Sequence, residues 1–354
     1  MDRRTTQPRM LIGPVNTVGQ GSAWAAAVSE HVGIRTAVWK SAESSEGSPY
    51  RVDRWVPQRE FPTPESRRRL LDEIARDFTH VIDESGQPFG GAVSMRRSVL
   101  DAYRLRLKGV RTALLFHGSD IRQPSMHRAM HEDSPFHGPL DGLTDRLEQR
   151  VAAHRARLRL WLGTIFVSTI DLQAYVPRST WLPVVIDASW FSPLPPIDPA
   201  RPRPRVLHMW TRRAFSQSDA IDAICGGLHD AGLVEYRSVA NVPPSEVRDL
   251  VAWADIVVDK VGFGATGVFA AEAAAAGRLV VGDVGARTRA ALPAHPVVDA
   301  TTRTLDATLR GLLADRASWA ERAAEGQRFV REYHDGRRAA AILARWMGIR
   351  TPGR

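Results

Sequence analysis

The chain has 354 residues, a size that fits two domains and buries a full core without help from disulfides or metals. Hydrophobic residues make up 44% and charged residues 25%, which excludes collagen, a long coiled coil and wholesale disorder. The net charge of +9 is spread evenly: 26 basic and 21 acidic groups over residues 1–190, and 22 and 18 over 191–354. That spread argues against a dedicated nucleic-acid module and fits a phosphorylated small molecule or an anionic membrane surface.

No run of 18 apolar residues exists, so no transmembrane helix is expected. The polar opening MDRRTTQPRM lacks the apolar centre of a secretory leader, and the single cysteine, Cys225, excludes a disulfide framework or a Cys-rich zinc site. A cytoplasmic location is expected, extending to the inner face of a membrane.

Short apolar runs alternate with helical stretches, which is the pattern of βαβ units and parallel sheet. Residues 9–15 (RMLIGPV) predict a strand, followed by a Gly19-Gln20-Gly21 turn and an Ala-rich helix to His31. A strand is predicted over 35–39, irregular chain over the Ser-, Glu- and Pro-rich 40–65, and a helix around 65–77. Further strands are predicted at 79–83 (THVID), 110–117 (VRTALLFH) and 164–169 (TIFVST).

Residues 189–205 contain six prolines and read as a semi-rigid linker. The pattern then restarts: strands over 205–210, 234–240, 254–259 and 278–283, helices over 217–231, 243–253 and 266–276, and helix only from about 302 to 348. The expected class is α/β, with two Rossmann-like domains facing across a cleft and ligands at the strand C-terminal ends. The expected boundaries are an acceptor-side domain over 1–190, a hinge over 191–204, a nucleotide-binding domain over 205–331, and a C-terminal helix over 332–354 returning to the first domain.

Four segments carry polar groups where chemistry is expected. Gly13 to Gly21 follows the first strand and opens a helix, where backbone N–H groups can approach an anion. Its glycine spacing is not the dinucleotide fingerprint, and no acid ends the second strand at Trp39. His117-Gly118-Ser119-Asp120 follows a buried strand; it reads as a polar, open loop at an active-site position, against the plainer reading of a packed His and a capping Asp. His127 and His131 stand four apart beside Glu132 and Asp133, but no HExxH pattern supports zinc, and a solvated loop is the stronger reading.

The most informative stretch is ADIVVDKVGFGATGVFAAEAAAAGRLVVGD, residues 254–283. A strand ends at Asp259; Gly262, Gly264 and Gly267 keep the following turn free of side chains; a helix then carries Glu272. The free N–H groups near Gly267 and Val268 suit phosphate or sugar oxygens. Glu272 lies among alanines on a helix expected to be buried, where a lone carboxylate needs a partner such as a diol.

The Asp-x₄-Gly-x₂-Gly-x₄-Glu-Ala-x-Ala-x-Gly-Arg pattern of residues 259–278 resembles the donor-site motif of GT-B nucleotide-sugar glycosyltransferases, most nearly the retaining family 4 type. LLFHGSDIRQP (114–124), the 167–187 segment and EYHDGRRAAAIL (332–343) are similar to further stretches of that family in the same order. The resemblance implies that Glu272 holds the nucleotide ribose and that the Gly267 and Val268 N–H groups meet the donor sugar. It also implies that Gly19, Gln20 and Gly21 lie against donor phosphates and acceptor. The resemblance further implies that His117 contacts the transferred sugar, with Asp120 nearby to orient its loop.

The sequence departs from the family at two places. Gly264 stands where a second Glu is common, and Ser216-Gln217 stands where Lys-Gly binds the diphosphate. Arg212, Arg213 and Lys260 are the replacement cations expected there.

No metal site is expected; the nucleotide sugar is a co-substrate rather than a resident cofactor. The acceptor classes are a glycan or lipid-linked sugar, a natural product, or a protein, with peripheral membrane contact. Nucleic acid is the less favoured partner: the alternatives are a DNA-modifying transferase, supported only by the basic charge, and a degenerate binding protein, motivated by Gly264 and Ser216.

Overall fold

The computed structural model describes residues 7–41, 50–90, 95–138, 140, 142–192 and 194–350. Residues 1–6 of the polar opening, 42–49 of the expected irregular stretch, Pro193 of the expected linker and the final 351–354 lie outside the described residues.

The chain divides into two compact units. One gathers residues 1–122, 149–185 and 336–354; the other gathers 123–148 and 186–335. Against the expected segments 1–190, 191–204, 205–331 and 332–354, the difference is that residues 123–148 group with the second unit. Residues 123–148 pack into the second unit through Phe136 and the rings around it, a contact between segments far apart in sequence.

The first unit is built on a seven-stranded parallel sheet. Its strands are β1 (Arg9–Gly13), β2 (Arg35–Lys40), β3 (Arg54–Trp55), β4 (His80–Glu84), β5 (Arg111–Phe116), β6 (Thr164–Val167) and β7 (Thr180–Trp181), in the order β3-β2-β1-β4-β5-β6-β7. The central strands β1 and β5 are near-continuous apolar runs, as strands covered on both faces must be, and β4 between them is buried along its whole length although it carries His80, Asp83 and Glu84. The helix Gln20–Val32 and the C-terminal helix Arg337–Met347 share one core, where Trp24, Val28, Ala340 and Leu343 meet Met10, Ile12 and Phe166. The helix Pro64–Asp77 starts where the sequence signals it: Thr63 accepts the Ser66 N–H at 3.1 Å and Pro64 takes the first position.

The second unit carries a five-stranded parallel sheet of β8 (Arg205–Trp210), β9 (Glu235–Ala240), β10 (Ile256–Val258), β11 (Leu279–Gly282) and β12 (Val298–Asp299), in the order β12-β11-β10-β8-β9. β10 is fully buried between β11 and β8. The helix Val268–Ala275 lies against the long helix Trp319–Tyr333 through small residues, with Gly326 on Ala274.

The strands β3, β7 and β12 have two residues each, too few to show a period of two in the sequence. The helix expected over 217–231 forms as Ser218–Asp230; Gln217, at φ 57°, separates it from a short preceding helix, Arg213–Ser216, that the sequence does not signal. Among the described residues no helix is long and apolar enough to cross a membrane.

Leu343 is fully buried in the core that joins the last helix to the first unit. Leu343→Ala is expected to cost about 2–5 kcal/mol of stability, read as a lower urea midpoint at unchanged slope.

Candidate functional site

In the second unit the C-terminal end of β10 opens into the turn 259–267. Gly262 and Gly264 adopt φ of +75° and +63°, conformations open to glycine and strained for other residues. Space makes the same demand. A Cβ at Gly262 would fall 2.1 Å from the Asp133 carbonyl oxygen, and one at Gly264 would fall 2.3 Å from Cε1 of His131. The segment 131–133 therefore rests directly on the turn, and Gln217 Nε2 donates to the Asp133 carbonyl at 2.5 Å. From the end of β11, Asp283 accepts the Gly264 N–H at 2.7 Å and the Gly285 N–H at 3.0 Å. Burial raises its pKa above the ordinary carboxylate value.

The far side of the turn gathers positive potential. A Cβ at Gly267 would stand 2.9 Å from Lys260 Nζ, so the ammonium lies at the glycine that caps the helix Val268–Ala275. Asp259 holds it in place, 3.8 Å from Nζ, and also accepts the Gly267 N–H at 3.4 Å. A cation beside a helix start makes a candidate anion site, because the ammonium and the helix dipole act on the same point, with the Asp259 carboxylate offsetting part of their charge.

Glu272 lies one turn further along that helix and is half-buried. Among the described residues no hydrogen bond or ion pair reaches its carboxylate. Burial, and then the nearby Asp187 carboxylate, raise its pKa from 4.5 to about 7. Val268 shares this helix start.

The other expected cations fare differently. Arg213 is bound by Asp219 at 2.5 Å and Asp222 at 2.6 Å and lies over the Trp210 ring at 5.2 Å. Arg212 is exposed and lies over Phe215 at 5.7 Å. Of the three, only Lys260 is brought to the helix start. His127 and His131 stack at 4.4 Å, and His127 donates to the Phe263 carbonyl at 3.3 Å and pairs with the Ser134 hydroxyl at 2.7 Å. Among the described residues no cluster of three or more His, Cys, Asp or Glu is arranged to hold a metal.

The first unit has its own group at the C-terminal ends of β1, β4 and β5. Glu84, fully buried, accepts the Asn16 N–H at 2.8 Å and the Val15 N–H at 3.3 Å, and its other oxygen lies 3.4 Å from His117 Nε2. The His117 ring stacks on Trp24 at 5.9 Å and 16°. Asp120 accepts the His117 N–H at 3.0 Å and the Ser85 hydroxyl at 2.6 Å, so it orients the loop.

Gln20 spends its amide on the Val185 backbone, donating to the carbonyl at 3.1 Å and accepting the N–H at 2.8 Å. Gly19, at φ +71°, lies under the Tyr50 ring, and Gly21 faces Asn16 and Glu84. The turn that holds them is strained: Val18, β-branched and exposed, sits at φ 48°.

Sequence patterns alone do not single out Glu84, Asp187 or Asp283. Glu84 had a partial signal, an acid ending the apolar strand HVIDE. Asp187 had none, because its approach to Glu272 exists only in the folded chain.

No protein-family model and no curated protein matches this sequence. Solved structures do resemble it. Sucrose-phosphate synthase from Thermosynechococcus elongatus superposes with a TM-score of 0.61 over 97% of this chain and 98% of its own, at 13% identity. A trehalose-6-phosphate synthase, solved in a study of glycosyl transfer with retention, gives 0.57 over 97% and 100% at 10% identity. WaaG, a glycosyltransferase of lipopolysaccharide biosynthesis, gives 0.55 over 95% and 99% at 14% identity. The chain has the GT-B fold. In each of the two GT-B units the polar groups described above stand at the C-terminal ends of parallel strands, where open α/β sheets take their ligands.

The raised pKa of Glu272 has a sign that can be measured. Its contribution to stability is fully present below the unfolded value of 4.5 and is lost as pH rises through about 7. The stability difference between the natural chain and Glu272→Gln should therefore turn in favour of the variant between pH 5 and 8. A difference constant across that range, by urea titration at each pH, would contradict the burial of this carboxylate.

Proposed function

We propose that this GT-B chain transfers a glycosyl group from a nucleotide-sugar donor to an acceptor hydroxyl, with retention and without a resident metal or other cofactor. The observation that carries the reading is the Lys260 ammonium at Gly267, on the start of the helix whose next turn bears Glu272. A departing nucleoside diphosphate gains negative charge as the glycosidic bond breaks. Lys260 and the N–H groups at Gly267 and Val268 are fixed in advance to stabilise that charge. The unpaired Glu272 carboxylate can accept both hydroxyls of a ribose. His117, braced by Trp24 and Glu84, positions the transferred sugar, and Asp120 holds the loop.

The shared fold with three sugar-transferring enzymes supports glycosyl transfer, and the relative studied for retention supports that stereochemistry. In this reading the acceptor is a glycan, a lipid-linked sugar, a natural product or a protein, and the reaction runs in the cytoplasm or at the inner face of the membrane. A second reading, donor binding without transfer, is favoured by one arrangement: Arg213 is committed to two acids while the His131 ring covers Gly264.

Differential melting with a panel of nucleoside diphosphates tests the donor site. A ligand at a hundred times its Kd stabilises by about 2.7 kcal/mol. Lys260→Ala should weaken the diphosphate by about tenfold or more while sparing the bare nucleoside, since a charged hydrogen bond contributes roughly 1.5–3 kcal/mol. Glu272→Ala should weaken both. No shift with any base would end the reading. Turnover or hydrolysis of the sugar donor, undiminished by a chelator, separates the transferase from the binding protein.

A further inference from the structure

At the opposite, N-terminal edge of the first sheet, two helices end in the same run of residues. The helix Met95–Leu107 closes as YRLRLKG, residues 103–109, and the helix Leu143–Leu158 closes as RLRLWLG, residues 157–163. They lead into β5 and β6, which are neighbours in the sheet. In each run one leucine is core and the next is not. Leu105 and Leu158 are buried, whereas Leu107 is 89%, Leu160 72% and Leu162 84% exposed.

The two ends are fastened together. The Tyr103 hydroxyl donates to the Leu160 carbonyl at 2.6 Å and accepts the Leu162 N–H at 3.1 Å. The Tyr103 and Trp161 rings meet edge to face at 5.1 Å, and the Arg106 guanidinium lies over both. Arg178 donates to the carbonyls of Leu158, Trp161 and Gly163. The exposed leucines thus stand on a braced loop and are held in water by the structure beneath them.

Cations stand in both runs: Arg157 and Arg159 in one, and Arg104, Arg106 and Lys108 in the other, with Arg104 paired to Asp101 at 3.0 Å and Lys108 to Asp72 at 2.6 Å. Complementing the helix dipoles accounts for basic residues in a last turn but not for leucines. Scattered single leucines on a surface are ordinary; three on two hydrogen-bonded ends, with Leu100 one face-repeat before Leu107, form a patch.

We propose that this edge docks on an anionic lipid bilayer, with Leu107, Leu160 and Leu162 among the acyl chains and the arginines at the headgroup phosphates. The partner follows from the side chains. Single-stranded nucleic acid is gripped by exposed aromatic rings between cations, but here Trp161 is buried and the exposed groups are aliphatic. Aliphatic tips with guanidinium stems alongside suit the boundary between acyl chains and phosphate. The proposal stands independently of glycosyl transfer.

The full chain should sediment with vesicles of phosphatidylcholine and phosphatidylglycerol, not with phosphatidylcholine alone, and the binding should fall as salt rises. The triple variant Leu107→Ser, Leu160→Ser, Leu162→Ser should melt as the natural chain does. Its partition should nevertheless drop by about tenfold or more, as apolar transfer is lost. Arg159→Glu should weaken binding to the anionic vesicles only. Equal binding to both vesicle types, no binding to either, or a triple variant that binds as the natural chain does would overturn the proposal. Retention on duplex DNA that resists the leucine substitutions, without vesicle binding, would assign the edge to nucleic acid instead.

Discussion

The backbone between Asp259 and Gly267 passes where side chains do not fit. It leaves the central strand of the second sheet, turns twice through positive φ, and is pressed by the Asp133 carbonyl, the His131 ring and the Asp283 carboxylate. Glycine meets both demands, of conformation and of space. Because the turn is this tight, the helix after it starts close to the strand end, its first N–H groups have no helical partners, and Lys260 is folded back onto them. A wider loop would separate cation and helix start and dissolve the anion site. The carboxylates of Asp259 and Asp283 hold the turn by accepting the N–H groups of Gly267 and Gly264.

The first unit solves a similar problem with a buried acid. Glu84 comes off the end of β4 with no exposure and takes the N–H groups of Val15 and Asn16, which have no partner in the sheet. A carboxylate removed from water needs such donors. Having them, it can also face His117, whose ring is set by Trp24 behind it. The His117 loop is thereby positioned from three sides, by Glu84, Trp24 and Asp120.

The two edges of the first sheet have separate characters. Its C-terminal edge gathers buried acids, a histidine and strained turns, at Asn16, Val18 and Ser85. Its N-terminal edge carries paired Arg-Leu-Arg-Leu helix ends whose apolar groups are held outward. A parallel sheet imposes this division, because every strand ends on the same side and every helix returns to the other.

Much of the architecture was legible in the sequence because it rests on local signals. Apolar runs such as RMLIG, RVLHMW and ADIVV bound their strands to within a residue or two. The glycine spacing of 262–267 and the place of Glu272 one helical turn on were legible for the same reason, since a helix fixes where its fifth residue stands. Tertiary structure decided what depends on approach between distant segments: that residues 123–148 join the second unit, that Arg213 is taken by Asp219 and Asp222, that Gln20 is spent on Val185, and that Lys260 rather than Arg213 reaches Gly267. The same holds for Asp187 beside Glu272 and for the three leucines left in water at the ends of otherwise amphipathic helices. A charged side chain long enough to reach several partners has no preferred one in the sequence. Its choice is set by which acids and which backbone ends folding brings within hydrogen-bond distance.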